Sequence, residues 1–347
     1  MKIIIRADAS PQIGTGHVMR CLALAQAWLE EGNEKVTLLT AALSPALDAR
    51  LQVEGVQVIY LPDLPTKPIF PGSQCDAEKT VAQAQEAQAS WVVVDGYQFG
   101  SDYQQTIKAA GLKLLLIDDY GHAKHYCADL VLNQNVYARA SLYESRTADT
   151  QLLLKTRYAL LRKEFWPWQL WRRNVPSTAQ KVLVTLGGSD PDNVTLKAIQ
   201  ALQQIETTGL EVTVVVGGSN PHYAQLQSQV QTSLRSSECA ITLQRNVTNM
   251  PALMAWADVA ICAGGGTAWE LAFMGLPSLM VILAENQRLV AETMDALGVS
   301  INLGWHCFIR PEQLTVQISQ LLTQSQKRQR MVANAQNLVD GKGARRL

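Results

Sequence analysis

Residues 6–20 read RADASPQIGTGHVMR, and what flanks this stretch decides the fold. Upstream, Lys2-Ile3-Ile4-Ile5 is a short apolar run of the kind that forms a buried strand. Downstream, Leu22, Leu24, Ala25, Trp28 and Leu29 recur at helical spacing up to Gly32, a C-terminal stop. The loop holding Gly14, Gly16 and His17 therefore lies where a first strand hands over to a first helix. Ligands of open parallel sheets bind at the carboxyl ends of strands, and this is such an end. Gly14 and Gly16 let backbone approach a ligand closely. His17 begins the helix, whose positive end disfavours an imidazolium, so the ring there suits the role of a base. The plain alternative is a tight turn followed by a polar cap. Val18 and Met19 follow His17, so the dinucleotide fingerprint GxGxxG is absent and a pyrophosphate need not sit here.

The same handover repeats along the chain. Strands are expected at Lys35–Leu39, Val56–Tyr60, Trp91–Val94, Lys113–Ile117 and, as a short last one, Asp129–Leu132. Between them fall a proline-rich surface loop over 61–72 (Pro62, Pro65, Pro68, Pro71), a helix over Asp76–Ala89 and a helix over Ser101–Ala110 capped by Ser101 or Asp102. Such alternation predicts a parallel sheet with helices on both faces. Two of its strands end in carboxylates, Asp95 and the pair Asp118–Asp119, on the rim that His17 shares. An acid beside a histidine orients the ring and stabilises its protonated form. Helix capping is the alternative use of these acids. Tyr97 follows closely and could offer its hydroxyl to a substrate.

The aromatic and arginine-rich stretch from Leu152 to Trp171 and the break at Asn174-Val175-Pro176-Ser177 put a domain boundary near residue 175, giving domains 1–174 and 175–347. A second alternating series starts at once. Its strands Val182–Leu186, Val212–Val216 and Val259–Ile261 run into Gly187-Gly188-Ser189-Asp190, Gly217-Gly218-Ser219 and Gly264-Gly265-Gly266-Thr267. Three glycine-rich strand-to-helix turns in one domain suit a phosphate or diphosphate held by backbone N–H groups. Glu270, one turn into the helix after Thr267, could accept hydrogen bonds from ribose hydroxyls. The Walker pattern GxxxxGK[ST] does not occur. The segment from Pro311 onward reads as helices ending in a basic tail, which is either a solvated end or a return to the first domain.

Composition sets outer bounds. A chain of 347 residues with 47% hydrophobic and 17% charged residues is a folded globular protein of about two domains. Thirty basic and thirty acidic residues cancel, which argues against a nucleic-acid partner. No apolar run approaches the 18 residues or so of a membrane span, and MKIIIRADAS is too short for a signal peptide, so a soluble cytoplasmic protein is expected. The six cysteines are scattered with no CxxC pair, as buried thiols are. His122, His125 and Cys127 lack a fourth nearby ligand, which argues against zinc. Neutral charge leaves monomer and dimer equally open.

Taken together, RADASPQIGTGHVMRC (6–21), VDGY (94–97), IDD (117–119), LNQN (132–135), RYALLRKEF (157–165), LGGSD (186–190), GGGTAWELAFMGLP (264–277), AENQ (284–287) and DGKGARR (340–346) resemble, in order, a known family. These are the UDP-2,4-diacetamido-2,4,6-trideoxy-β-L-altropyranose hydrolases of pseudaminic acid biosynthesis. They are related to the GT-B glycosyltransferases, among them the peptidoglycan N-acetylglucosaminyltransferase. The resemblance implies two Rossmann-like domains facing across a cleft. It implies hydrolysis at the anomeric carbon of a UDP-sugar, giving UDP and the free sugar with no cofactor or essential metal. His17 would activate water, with Asp95 beside it and Tyr97 approaching the sugar. Gly14, Gly16, Arg20 and Asn135 would complete the substrate contacts on that side. Gly187, Gly188, Ser189, Asp190, Gly265, Gly266, Thr267, Glu270, Asn286 and Gln287 would hold UDP. One departure is the turn Gly264–Thr267, where relatives often carry serine. A glycosyltransferase, a hydrolase of another UDP-sugar and a non-catalytic nucleotide-sugar-binding protein are the competing readings, because fold alone does not choose between them.

Overall fold

The computed structural model describes residues 1–10, 12–61, 70–233 and 239–347. Its contacts divide the chain into two units, Met1–Lys163 with Lys342–Leu347, and Glu164–Gly341.

In the first unit the strands are β1 (Lys2–Ala7), β2 (Lys35–Thr40), β3 (Val56–Tyr60), β4 (Trp91–Asp95), β5 (Lys113–Ile117), β6 (Leu130–Asn133) and β7 (Gln151–Leu154). The helices are α1 (Gly16–Glu30), α2 (Pro45–Val53), α3 (Gln74–Glu86) and α4 (Ser101–Ala109). The strands form one parallel sheet in the order β3-β2-β1-β4-β5-β6-β7. The central strands β4 and β5 read as unbroken apolar runs because both their faces are covered. Ile4, Val92, Val94, Leu114 and Leu116 pack with Phe99, Tyr103 and Ile107 in one core. Strand order reverses between β1 and β4, where Ala7 pairs with Asp95. That reversal places the loop after β1 directly beside the end of β4.

The second unit repeats the plan with β8 (Lys181–Thr185), β9 (Glu211–Val216), β10 (Ala240–Arg245), β11 (Val259–Ala263), β12 (Ser278–Ile282) and β13 (Ser300–Trp305). Its helices are α5 (Val194–Gln203), α6 (Tyr223–Ser233), α7 (Met250–Trp256), α8 (Thr267–Phe273), α9 (Glu285–Ala296), α10 (Pro311–Thr323) and α11 (Ser325–Ala335). The parallel order β10-β9-β8-β11-β12-β13 puts its reversal between β8 and β11. These are two of the strands that end in glycine-rich turns.

Three sequence expectations change, and one left open is decided. Asp129–Leu132 is not the last strand of its sheet, since β7 pairs beyond β6. The helix over 101–109 is not capped by Ser101 or Asp102. Gly100 is its N-cap, and Ser101 Oγ instead accepts from His125 N and donates to His125 O, both at 2.9 Å. The units divide between Lys163 and Glu164, not at 174/175. Phe165 packs on Phe273, and Arg173 donates to the carbonyls of Met254, Ala257 and Met274, so this stretch is tied into the second unit. The basic tail returns to the first unit. Of the proline-rich loop, Pro62, Pro65 and Pro68 lie outside the described residues, and Pro71 sits in a turn ahead of Ser73, the N-cap of α3. Among the described residues, no helix is long and apolar enough to cross a membrane.

Candidate active site

The loop after β1 turns back through a hydrogen bond from Gly14 N to Ser10 O, with Gly14 at φ +79°, and delivers the chain into α1 at Gly16. Its N-cap is Thr15, and among the described residues no side-chain hydrogen bond caps it. Val18, Cys21, Leu22 and Ala25 bury one face of α1, so the helix is fixed against the sheet and His17 and Arg20 are set by its rotation.

His17 Nδ1 lies 2.6 Å from Asp95 Oδ1. Arg20 grips the same carboxylate through Nε to Oδ2 (2.6 Å) and Nη2 to Oδ1 (2.7 Å), and reaches Asp119 Oδ1 through Nη1 (2.8 Å). Asp95 is fully buried. Burial alone would raise its pKa, but Arg20 and His17 outweigh burial and hold it below the ordinary carboxylate range. Asp119 follows the same logic, with Arg20 and the Tyr97 hydroxyl overcoming burial. An ionised Asp95 only accepts, so His17 Nδ1 must donate to it, and Nε2 is the nitrogen left to take a proton. Arg20 Nη2 also comes within 3.3 Å of Nδ1. With Nδ1 protonated both groups are donors, and that contact is proximity only.

Tyr97 donates its hydroxyl proton to Asp119 Oδ2 at 2.7 Å, and its ring meets His17 edge-on at 5.0 Å between centroids. Toward a substrate its oxygen is therefore an acceptor. Asn135 is turned inward, giving Nδ2 to Asp119 Oδ1 (2.7 Å) and Asn133 Oδ1 (3.0 Å). Asn133 in turn donates to Asp119 O and Tyr143 Oη, both at 2.7 Å. Asn135, expected among the substrate contacts, instead joins Asn133 in holding Asp119 in place.

Sequence reading missed a second buried lattice on the same rim. Arg6 is fully buried at the apolar end of β1, and it donates to Asp8 and, through Nε and Nη2, to Asp76 at 2.9 and 3.0 Å. Asp8 also accepts from Ala41 N (2.7 Å) and Gln98 Nε2 (3.3 Å), and Asp76 from Gly72 N (2.9 Å). This lattice ties the loops after β1, β2 and β4 to the start of α3. The available signal was an arginine closing an Ile-Ile-Ile run, a charge that burial obliges to find acids.

His122, His125 and Cys127 are not gathered into a metal site. His122 pairs with Asp118 at 3.2 Å, His125 with Ser145 at 3.1 Å, and among the described residues no three His, Cys, Asp or Glu converge on one point.

In the second unit the glycine turns pack tightly against neighbouring backbone at the carboxyl edge of the sheet. A Cβ on Gly217 would lie 2.2 Å from Gly188 O, so the turns after β9 and β8 touch backbone to backbone. Gly264 closes likewise on Gln287 at the start of α9. Gly266 and Asn286 are exposed, while Gly265, Thr267, Glu270 and Gln287 are half-buried, Thr267 opening α8 and Glu270 standing in its first turn. Gly187 is exposed, and Gly188 and Ser189 are half-buried. Asp190 differs, because its buried carboxylate accepts from Val194 N and Thr195 N, both at 2.9 Å, and so caps α5. The Gln287 Oε1 atom accepts from Leu283 N at 3.0 Å, steadying its own loop.

Two parallel α/β units of this topology define the two-Rossmann GT-B fold. The chain superposes with a TM-score of 0.66 on MurG of Acinetobacter baumannii, over 99% of this chain and 97% of that one, at 16% identity. Residues 182–346 match the glycosyltransferase family 28 C-terminal domain. In sequence, the chain is 26% identical to the spore coat polysaccharide biosynthesis protein SpsG of Bacillus subtilis, covering 99% of this chain and 95% of that protein. It is 28% identical to the UDP-2,4-diacetamido-2,4,6-trideoxy-β-L-altropyranose hydrolase of Campylobacter jejuni, over 65% of this chain and 73% of that protein.

Proposed function

We propose that this protein hydrolyses a UDP-sugar at the anomeric carbon, and that its substrate is UDP-2,4-diacetamido-2,4,6-trideoxy-β-L-altropyranose. The observation that carries the reading is the His17–Asp95 pair at 2.6 Å, with Asp95 locked as an anion by Arg20. His17 Nε2 takes a proton from water as the water oxygen bonds to the anomeric carbon. The bond from that carbon to the diphosphate oxygen breaks, and its electron pair leaves with UDP. Asp95 stabilises the imidazolium that forms and keeps the ring in the tautomer that accepts at Nε2. UDP is a good leaving group, so its departure depends on stabilising diphosphate charge more than on a strong acid. The glycine turns Gly187–Ser189 and Gly264–Thr267, with Glu270, Asn286 and Gln287, are the residues we assign to UDP. The named relative of Campylobacter jejuni supports the hydrolase and its sugar.

The match of residues 182–346 to a glycosyltransferase domain favours a second reading, in which His17 deprotonates an acceptor hydroxyl in place of water. One assay separates the two. UDP release from the diacetamido sugar nucleotide is measured without any acceptor, beside UDP-N-acetylglucosamine as control. The hydrolase releases UDP from the first substrate. His17→Ala lowers kcat about 10²- to 10⁴-fold and leaves inhibition by UDP unchanged. Release from neither sugar until an acceptor is added would replace the hydrolase by the transferase.

A further inference from the structure

Beyond His17 a run of rings leads from the rim into the core. Tyr97 meets His17 at 5.0 Å and Tyr120 at 5.0 Å between centroids; His122 lies 5.9 Å from Tyr97, Tyr126 follows at 6.5 Å from His122, and Tyr143 at 5.0 Å from Tyr126. The inner members are buried, Tyr126 at 1% and Tyr143 at 0% exposure, whereas Tyr120 is 40% exposed.

Exposed aromatics are common and need no explanation by themselves. Tyr120 differs in how it is held. Asp118 Oδ1 accepts from Tyr120 N (2.9 Å) and Gly121 N (3.1 Å), and Asp118 is itself fully buried beneath Tyr126 and His122. Gly121 sits at φ +80°, and a Cβ there would come within 2.5 Å of Leu142 O, so the turn has no room to relax. A buried carboxylate, a phenol and an imidazole thus fix the backbone beneath one surface ring. Binding to such a ring costs little ordering entropy. Its face is electron-rich, and the C–H face of a pyranose is apolar and weakly positive, so the two attract and exclude water together. Burial and the neighbouring acids Asp118 and Asp119 push the Tyr120 hydroxyl up, so the ring carries no charge at neutral pH.

We propose that Tyr120 is the sugar-reading residue of this site, its ring, against Tyr97, receiving the apolar face of the substrate's hexose. The proposal rests on the UDP-sugar reading above and assigns the specificity-determining contact within it.

The test measures calorimetric Kd for UDP-2,4-diacetamido-2,4,6-trideoxy-β-L-altropyranose and for UDP. Tyr120→Ala and Tyr120→Phe are each placed in a His17→Ala background, where turnover does not interfere. Tyr120→Ala should weaken the sugar nucleotide about tenfold and leave UDP within about twofold, while Tyr120→Phe, which keeps the ring, binds both like the parent. Melting temperature is followed alongside, since a merely structural role would lower it and weaken both ligands in parallel, which would overturn the proposal. Equal affinities in Tyr120→Ala and parent would also overturn it, leaving the UDP-sugar reading intact. A parent that binds neither ligand would instead sink the UDP-sugar reading, and the proposal with it.

Discussion

Arg20 decides the charge state of the His17 rim, because one guanidinium is divided between two carboxylates. Burial alone would lower its pKa, but Asp119 and Asp95 outweigh burial and raise it, so the charge is permanent. Asp95 consequently stays an anion and His17 keeps its proton on Nδ1. Asp95→Asn tests this arrangement. The amide can present a donor where the carboxylate accepts, releasing the ring from the tautomer that leaves Nε2 as acceptor. The expected result is a fall in kcat of about 10²- to 10⁴-fold with the inhibition constant for UDP unchanged, as a general base deprived of its orienting acid would give. A fall in UDP affinity of the same size would show that Asp95 serves folding instead. The meeting of His17, Asp95 and Tyr97 was legible because Asp95 closes β4 and the other two follow strand ends on the same rim. The pairing of Arg20 with two acids was not legible, since residues distant in sequence meet only through the order β1-β4-β5. One local signal existed: Arg20 stands three residues after His17, on the same face of a helix. Asn135 and Asp190 illustrate the converse, polar residues at strand ends whose groups are directed to the protein's own backbone and acids.

The turn after β5 behaves as one element with its own pH dependence. His122 Nε2 faces the carbonyl of Phe99 at 3.3 Å and Nδ1 faces Asp118 at 3.2 Å, off the axis of a good hydrogen bond but close enough for a charge pair. Both partners only accept, so the ring is best satisfied as a cation. Burial alone would lower its pKa; Asp118, the Phe99 carbonyl and Asp119 outweigh burial and raise it. Asp118 shifts the opposite way, burial opposing and His122, Tyr126 and the Tyr120 backbone prevailing. The other groups facing the pair are Tyr97, Tyr120 and Tyr126. A raised histidine pKa gives stability that is complete below its ordinary value of 6.5 and lost as pH climbs through the raised one. The lowered Asp118 gives stability complete above 3.8 and lost as pH falls through its lowered value. These are two ends of one interaction. Melting temperature should therefore decline on the alkaline side of pH 6.5, and His122→Gln should flatten that decline while lowering the plateau. An alkaline limb identical in the variant would assign it to other groups. Most elements were legible from apolar runs and helical spacing. α2, α6 and α9 were not read as helices, nor β7 and β13 as strands; both strands are short and lie at sheet edges, and Ser300–Trp305 (SINLGW) is broken by an internal glycine. The places of β7 and β13 come from pairing with β6 and β12, which local sequence does not encode.

At the scale of the whole chain, the first unit is discontinuous, completed by six residues from the far C-terminus, Lys342–Leu347. Composition and alternation gave two α/β domains, but the boundary near residue 175 followed a Pro-Ser break, whereas cohesion follows packing. Segment 164–174 is bound to the second unit by Arg173 and Phe165, contacts that depend on carbonyls and a ring some hundred residues away in sequence. The tail is held as firmly. Ala344–Arg346 packs on α1, Ala344 is buried, and Arg346 donates to Arg157 O. Because α1 carries His17 and Arg20, the last residues of the chain support the helix whose rotation places the proposed base. Deleting 342–347 should remove about 2 kcal/mol of packing and hydrogen bonding, equivalent to about 4–8 °C in the melting of that unit. Hydrogen exchange localises the effect: amides of α1 should exchange faster in the truncated chain, while those of β8–β13 keep their rates. Catalysis should fall with little change in UDP inhibition, since the residues assigned to UDP are untouched. Faster exchange spread evenly over both units would instead mark the tail as a general stabiliser, with no particular tie to the helix that carries the histidine.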